Sequence, residues 1–293
     1  MKHLLHLLPL LITAFVFNSC ACSEKKVHWE MEPPRPVSSD TPSTPSDNDL
    51  YPKSEGVLRL VHYNVGAFNK SGSSTVDMIA DMLTELHADI ISMNEVDSLT
   101  TRTGRVDQPE AIAGRLGGWG HMFAKAMDYQ GGGYGLSILH RPDFKPLARP
   151  TLHIPKGEGS EPRACGIFVF KDFVFATTHL DHRSDEARLE GVSLITAYLD
   201  KTYPDKPVFV CGDFNCLPDS APITAMKEAG FEIISSTGHT FSAKKPSKCI
   251  DYIFVKKHGK PFQALQSMIP TRFEKGDVTV ASDHLPVFVD VKL

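Results

Sequence analysis

The sequence lacks several patterns that would assign it to a protein class at once. Its 293 residues carry 31 Lys and Arg against 35 Asp and Glu, for a formal net charge of -4. The chain therefore has no basic excess of the kind that non-specific nucleic-acid binders carry. It also lacks a long linker in mid-chain and an internal repeat. With 41% hydrophobic residues, it has enough apolar material for one large domain with a single core.

Zinc motifs are missing as well, since the sequence has no CxxC pair and no cluster of His and Cys. Beyond the N-terminal region there are four cysteines, which permit three pairings: Cys165, Cys211, Cys216 and Cys249. A domain of this size does not need disulfides for stability. We expect small buried apolar side chains at these positions, with one disulfide as an open alternative.

The first twenty residues differ in kind from the rest of the chain. Lys2 precedes an apolar run over residues 4–17, and Ser19 and Cys20 follow. This pattern predicts a secretory signal peptide over residues 1–20, because the run is too short and too near the N-terminus for a good transmembrane span. A Cys directly after a small residue resembles the bacterial lipoprotein signal, in which that Cys is acylated. Cys22 and an ordinary cleaved signal are the alternatives.

Residues 21–54 are dense in Pro, Ser, Thr and Asp and have almost nothing to bury. The composition predicts a disordered tether. Behind an acylated Cys20, such a tether would hold a folded domain over residues 55–293 clear of a membrane. We expect a monomer in the cell envelope, lipid-anchored to a bacterial membrane and facing the periplasm or the exterior, with secretion as the alternative.

Strand and helix patterns alternate from Val57 onward. Strands are predicted at 57–65, 88–96, 136–140, 164–170, 173–178, from 207, and at 231–234, 249–255, 262–268 and 285–291, and helices at 76–86, 108–116, 184–203 and 221–230. Residues 149–162 are predicted to be a polar loop. The three glycines at 131–133 lack the Lys-Ser/Thr and helix of a P-loop, so they indicate close approach of a strand or a substrate.

The stretch at 207–220, PVFVCGDFNCLPDS, combines a buried strand with polar residues. An apolar run ends at Gly212, and Asp213 and Asn215 follow before Pro218. Strand ends of this kind hold chemistry in parallel and mixed sheets, because the backbone behind them is rigid and the loop ahead can vary. The stretch therefore places one carboxylate and one carboxamide on a fixed platform.

Other strand ends also carry a polar residue suited to phosphate or metal chemistry. They are Asn64 (YNV), Glu95 (NEV), His179 (THLDH), Asp251 (IDYIF), and Asp283 with His284 (SDH). In this order, residues 57–293 resemble the endonuclease/exonuclease/phosphatase superfamily, which includes deoxyribonuclease I, abasic-site endonucleases, bacterial sphingomyelinases and inositol-polyphosphate phosphatases. GDFN together with the terminal SDH is the specific part. The resemblance implies an α/β fold, a four-layer α-β-β-α sandwich of two mixed β-sheets (deoxyribonuclease I-like).

The resemblance also implies catalytic roles. Cleaving a phosphate ester needs a cation for the non-bridging oxygens, a base or aligner for water, and donors for the developing charge. Glu95 and Asn64 would bind Mg²⁺ or Mn²⁺, which prefer oxygen ligands. His284, oriented by Asp251, would assist the attack, and Asp213 would orient or deprotonate the water. Which of Asp213 and His284 is the base stays open, since geometry decides it before pKa.

The remaining roles concern the phosphate itself. By the same resemblance, Asn215 and His179 would donate hydrogen bonds to the phosphoryl oxygens. Asp283 would support His284 or a second metal. Arg163, in the EPRA turn, is predicted to bind the phosphate as a bidentate donor, with a solvent-facing position as the alternative.

Taken together, these features predict an exported metal-dependent phosphoesterase. Its expected substrate is a small or lipid-derived phosphodiester or phosphomonoester. Export, anchoring and the missing basic surface favour this over an extracellular nuclease, which is the alternative, and a catalytically inactive binding module is a further one. Asn94 stands where much of the superfamily has Gln before the metal-binding Glu, a departure that should leave the metal site intact.

Overall fold

The computed structural model describes residues 49–293, so the predicted signal peptide, Cys20 and the tether up to residue 48 lie outside the described residues. In chain order the elements are β1 (Leu58–Asn64), α1 (Val76–Glu85), β2 (Ile90–Ser98), α2 (Gln108–Arg115), β3 (Gly120–Tyr129), β4 (Gly132–His140), β5 (Thr151–Ile154), β6 (Arg163–Val169), β7 (Val174–His179), α3 (Asp185–Thr202), β8 (Val208–Asp213), α4 (Ala221–Glu228), β9 (Glu232–Ile233), β10 (Asp251–Lys256), β11 (Gln263–Met268), α5 (Val278–Ala281) and β12 (Val287–Lys292). Short 3-10 turns lie at Gly66–Phe68 and Thr101–Thr103.

The strands form two mixed sheets of six. The first has the order β11-β12-β1-β2-β4-β3 and the second the order β5-β6-β7-β8-β10-β9. Each contains one parallel pair, β1 with β2 and β7 with β8, and antiparallel pairs elsewhere. A helix joins the two strands of each parallel pair, as a parallel connection requires. The two parallel pairs consequently deliver four strand ends to one end of the molecule.

Helices cover the outer face of each sheet. Ile79 and Leu83 of α1 and Ile112 of α2 pack in one cluster with the first sheet, while Ile195 of α3 and Ile223 of α4 pack with the second. A third cluster lies between the sheets. These three apolar layers confirm the predicted four-layer α-β-β-α sandwich.

Successive side chains on each strand divide between the layers, because a strand points them alternately to its two faces. In β1, Leu60 belongs to the cluster between the sheets, whereas Val61 and Tyr63 belong to the cluster under α1 and α2. In β8, Phe209 lies between the sheets and Val210 faces the helices. Both faces of the central strands are therefore buried, which explains their nearly continuous apolar runs.

Two strands were absent from the sequence-based assignment. β3 falls in a stretch with no clear periodicity, and only Met122 and Ala124 of its ten residues are buried. β5 lies inside the predicted polar loop 149–162, and only Ile154 of it is buried. Both are edge strands, so neither has the two buried faces that produce an apolar run.

The glycine segment and the cysteines also have clear positions. A Cβ at Gly132 would lie 2.3 Å from the backbone oxygen of Ser98 in β2, so this glycine permits close approach of the neighbouring strand, one of the two alternatives predicted for residues 131–133. Cys165, Cys211, Cys216 and Cys249 are all buried and free. The prediction of buried apolar cysteines is confirmed, and the alternative of a disulfide among them is wrong.

Residues 49–54, which we expected to belong to the tether, pack on the domain. Tyr51 is buried, and its carbonyl accepts a hydrogen bond of 2.7 Å from Arg59. The Arg59 guanidinium has no exposed surface and forms a bidentate pair with Asp290, at 2.7 and 2.8 Å. It also donates to the carbonyls of Pro52 and Leu86. A single buried cation thus joins the start of the domain to β12 and to the end of α1.

Within residues 49–293, no helix combines the length and the apolar character needed to cross a membrane.

We expect Arg59→Met to lower the free energy of unfolding by about 3–5 kcal/mol, because it leaves the buried Asp290 carboxylate without its charged partner. Urea denaturation followed by circular dichroism measures this. The double variant Arg59→Met/Asp290→Leu should recover much of the loss, since it removes both charges. A single variant within 1 kcal/mol of wild type, roughly the value of an exposed pair, would contradict this account of Arg59.

Candidate active site

Polar side chains replace apolar ones at one end of the layer between the two sheets. Along β1, the residues facing this layer change from Leu60 to His62 and then Asn64. The same change occurs along β2 (Ile90, Ser92, Asn94), β7 (Phe175, Thr177, His179) and β8 (Phe209, Cys211, Asp213), and in the reverse direction along β10 (Val255, Ile253, Asp251). These polar ends lie together because β1, β2, β7 and β8 all end on the same side.

Asp251 lies at the centre of this polar layer, with no exposed surface. One carboxylate oxygen is 2.9 Å from Nδ1 of His284, and the other is 3.0 Å from Nε2 of His62. Since a carboxylate only accepts, both imidazoles donate to it. The side chain of Asp251 therefore fixes the ring of His284, as the resemblance implied, and joins β10 of one sheet to β1 of the other.

A chain of hydrogen bonds leads to His62 from the other side. The Asn94 amide oxygen accepts from the backbone N–H of Asp213 at 2.8 Å, so its Nδ2 is the donor to Thr177 Oγ1 at 3.1 Å. Thr177 can then donate to Ser92 Oγ at 2.6 Å, and Ser92 to His62 Nδ1 at 2.9 Å. The residue that departs from the family pattern, Asn94, thus connects the two sheets beneath the site.

Asn64 occupies the point where the predicted site residues meet. Its Nδ2 lies 3.1 Å from Glu95 Oε1, 3.1 Å from Asp213 Oδ2 and 3.4 Å from His284 Nε2. Its Oδ1 accepts from the backbone N–H of Gly66 at 3.1 Å, which sets the orientation of the amide. Three other residues singled out in the sequence therefore surround the amide group of Asn64.

Glu95 reaches this point because β2 is irregular there. The pairing of β2 with β4 shifts between Asn94 and Val96, and Glu95 has a φ of 55°. Such a bulge turns one side chain out of the regular alternation, and a non-glycine residue at positive φ carries a backbone cost of about 1–3 kcal/mol. The bulge directs the Glu95 carboxylate toward Asn64 and the pocket.

The GDFN stretch has two conformational requirements. A Cβ at Gly212 would lie 2.1 Å from the backbone oxygen of Thr178, so only glycine allows β8 to pair this closely with β7. Asn215 has a φ of 51°, a region that Asn tolerates better than most residues. In this turn the backbone N–H of Asn215 donates to Asp213 Oδ1 at 2.8 Å. The turn thereby fixes the carboxylate that faces the pocket.

Both N–H groups of the Asn215 amide have partners in the protein. Nδ2 donates to the carbonyl of Leu180 at 3.1 Å and lies 3.0 Å from Nε2 of His179. His179 Nε2 therefore acts as an acceptor in this arrangement. For Asn215 to donate to a phosphoryl oxygen, as predicted, that oxygen would take the place of His179 as acceptor.

Burial and neighbouring charges shift the pKa values of the titratable groups in different directions. Burial raises the pKa of Asp213 to about 7, although His284 acts to lower it. Burial alone would lower the pKa of His284, but the charges of Asp251 and Asp213 outweigh it and raise the value to about 10. For Asp251, the opposing effect of burial is outweighed by His284 and His62, and its pKa stays below the ordinary value. Burial, followed by the charge of Arg163, lowers the pKa of His179 well below its usual range.

Asp213, His284 and His179 line a pocket of about 490 Å³. Arg163 forms part of its wall with only 4% of its surface exposed, so the alternative of a solvent-facing side chain is wrong. Its guanidinium pairs with Glu161 at 3.1 Å and lies 3.1 Å from Nδ1 of His182, while its buried Nε has no hydrogen-bond partner among residues 49–293. Tyr134 lies on the same wall.

Asp283, which was predicted to support His284 or a second metal, lines the same pocket, and its charge helps to raise the pKa of His284. Its carboxylate is partly exposed and pairs with Lys70 Nζ at 3.1 Å, and the same ammonium lies 3.3 Å from Glu95 Oε2. Lys70 is a residue that the sequence reasoning missed, as is His62. Since His62 lies two positions before Asn64 on the same face of one strand, period-two alternation could have identified it.

Two groups of side chains could hold a cation. Asp213, Asp251 and His284 present ligand atoms that all lie within 4.8 Å of one another. However, both oxygens of Asp251 accept hydrogen bonds from imidazoles, which compete with a cation. Glu95 and Asn64 offer hard oxygen ligands of the kind that Mg²⁺ prefers. Glu95 fits this role directly, whereas the Asn64 amide would have to turn over to present its oxygen.

The same fold occurs in solved structures of known proteins. A mannosyl-6-phosphatase of Bacteroides thetaiotaomicron is 21% identical, with a TM-score of 0.68 over 80% of this chain and 100% of that one. The human Nocturnin catalytic domain, solved with a bound sulfate anion, is 17% identical, with a TM-score of 0.62 over 83% of this chain and 95% of that one. At these identities the likeness concerns the fold.

Sequence comparison gives one short and one extended match. Protein angel of Drosophila melanogaster is 44% identical over 55 residues, which span 18% of this chain and 16% of that protein. The model of the Endonuclease/Exonuclease/phosphatase family matches residues 61–284, a range that includes every predicted site residue from Asn64 to His284. The chain therefore belongs to the endonuclease/exonuclease/phosphatase family, and it shares the fold of the solved structures named above.

Proposed function

We propose that this chain is a metal-dependent phosphoesterase that hydrolyses a phosphodiester or phosphomonoester by in-line attack of water. The observation that carries the proposal is the convergence on Asn64, whose amide lies 3.1 Å from both the Glu95 and the Asp213 carboxylates and 3.4 Å from the His284 ring. A binding module would not need a candidate metal ligand and a candidate base in contact with one amide. The convergence therefore favours catalysis over an inactive module of the same fold.

The pKa values favour Asp213 as the base. A general base works best when its pKa lies near the working pH, and burial brings that of Asp213 to about 7. With a pKa of about 10, His284 carries a proton at neutral pH and acts as a donor instead. Its Nδ1 is held by Asp251, so its Nε2, on the pocket side, is the nitrogen that can stabilise developing charge on the phosphate.

Glu95 is proposed as the principal ligand of Mg²⁺ or Mn²⁺. A bound divalent ion supplies positive charge to the non-bridging oxygens of the phosphate. Arg163 supports phosphate binding through the positive charge of its guanidinium group, which forms part of the pocket wall. The terminal N–H groups of Arg163 hold it in place through Glu161 and His182.

The shape of the pocket favours a small or lipid-derived substrate. Its volume of about 490 Å³ lies in the range of small-molecule sites. Leu217 and Phe241 add apolar surface to its lining. An extracellular nuclease is the second candidate, and one observation favours it: Lys244, Lys245 and Lys248 are exposed on the loop that follows Phe241 at the edge of the pocket.

Glu95→Gln should lower kcat at least about 100-fold on bis-p-nitrophenyl phosphate in Mg²⁺ or Mn²⁺, because the amide is a poor substitute for the charged ligand. EDTA should inhibit the wild-type protein, and added metal should restore it. Glu158→Gln, at an exposed position outside the pocket, is the matched control. Assays on p-nitrophenyl phosphate, sphingomyelin and plasmid DNA rank the substrate classes. Wild-type turnover by Glu95→Gln would refute the assignment of the metal ligand.

The pH profile of kcat/KM should be bell-shaped. Asp213 acts as a base only when deprotonated, so activity should rise as the pH passes about 7. His284 donates only when protonated, so activity should fall as the pH passes about 10. Asp251→Asn should move the upper limb to lower pH, because it removes the charge that most raises the pKa of His284. If the upper limb does not move in Asp251→Asn, the group that titrates there is not His284.

We also propose that the protein is exported and anchored in the cell envelope through an acyl group on Cys20. The support is the apolar run at residues 4–17, the Cys after Ser19 and the Pro- and Ser-rich stretch that follows. The intact mass of the mature protein should equal that of a chain starting at Cys20 plus two or three acyl chains. Cys20→Ser should abolish that addition, and an unmodified N-terminus elsewhere would refute the anchor.

A further inference from the structure

Lys70 lies over the backbone of the loop that follows β1. A Cβ at Gly66 would lie 2.3 Å from Cε and 2.4 Å from Cγ of Lys70, so the aliphatic part of the lysine occupies the space that any larger residue would need. Gly66 also has a φ of 54°, which favours glycine for a second reason. The Lys70 side chain therefore packs across Gly66, and its ammonium group reaches Glu95 at the pocket.

The ammonium group at the end of this path contacts two carboxylates. Its Nζ lies 3.3 Å from Glu95 Oε2 and 3.1 Å from Asp283 Oδ2. The second oxygen of Glu95 accepts from Asn64 at 3.1 Å. Each oxygen of the Glu95 carboxylate thus has a donor, and one of the two donors carries a full positive charge.

The ion pair between Lys70 and Glu95 is weak enough for another cation to replace the ammonium group. The Lys70 side chain is 35% exposed and that of Glu95 22%, so water screens the ion pair and its contribution is modest. A divalent ion attracts the same carboxylate with twice the charge. Like charges at this distance repel, so the ammonium cannot keep its place against Glu95 when another cation binds there.

We propose that Lys70 is a resident counter-cation of Glu95, which a divalent metal ion must displace in order to bind. Lys70 thereby sets the metal affinity of the site, and the pairing with Asp283 gives the displaced ammonium a second partner within reach. The inference rests on the proposed role of Glu95 as a metal ligand. It further states that the site binds the metal more weakly than Glu95 and Asn64 would in the absence of Lys70.

Removing the charge of Lys70 should tighten metal binding. Mn²⁺ binding to the full-length protein can be measured by isothermal titration calorimetry and by the loss of the free Mn²⁺ signal in electron paramagnetic resonance. Lys70→Met should lower the Kd about fivefold, the factor that corresponds to the upper value for one partly exposed ion pair. Lys70→Gln, which keeps a polar end without the charge, should do the same if Met disturbs the loop.

A matched control separates displacement from a general effect of charge. Lys248 lines the same pocket and has no ion pair with the described part of the chain. Lys248→Met should leave the Kd for Mn²⁺ within about twofold of wild type, since a screened charge without contact to the ligand contributes little. In a Glu95→Gln background, Lys70→Met should give no tightening, because the carboxylate for which lysine and metal compete is gone.

Equal or weaker Mn²⁺ binding by both Lys70 variants would overturn the proposal, as would a tightening that persists in the Glu95→Gln background. The absence of Mn²⁺ binding in every variant would overturn it too, together with the metal assignment. If the Lys70 variants bind Mn²⁺ more tightly but no phosphate ester is hydrolysed, the inference about Lys70 stands and the proposed function fails. If hydrolysis depends on the metal but the Kd for Mn²⁺ is unchanged in the Lys70 variants, the proposed function stands and the inference about Lys70 fails.

Discussion

The Asp251 carboxylate, which has no exposed surface, is the group on which the arrangement of the site depends. Burying a charge costs several kcal/mol unless its neighbours compensate for it. His284 and His62 do so from opposite sides, one from the loop before β12 and one from β1. The same two hydrogen bonds tie the sheets together and hold the imidazole of His284. Stability and the geometry of the candidate site therefore share one interaction, and neither can be changed alone at this position.

The rest of the site follows from the alternation of side chains along strands. Each central strand has one face toward the helices and one toward the opposite sheet. The helix-facing positions stay apolar to the end of the strand, as Val61 and Tyr63 do in β1. On the inner face, apolar residues give way to polar ones within one or two positions. The sandwich thus keeps its packed core while it presents a polar surface at one end.

Sequence reasoning identified the parts of the site that follow long apolar runs. Asn64 and Asp213 each end a buried strand, Glu95 follows the apolar part of β2, and the family resemblance supplied their roles. Lys70 could not be found in this way, because its position depends on a loop that crosses Gly66. The edge strands β3 and β5 were missed for a related reason: a strand with few buried residues leaves no apolar pattern in the sequence.

The hydroxyl groups of Ser92 and Thr177 have fixed orientations in the folded protein, so they add no entropy cost to substrate binding. In the chain from Asn94 to His62, each hydroxyl uses its one proton to donate in the same direction. Turning either group away would leave a buried acceptor without its donor, at a cost of about 1–3 kcal/mol. The rotational freedom of these groups is given up when the protein folds. None of it remains to be lost when a substrate binds.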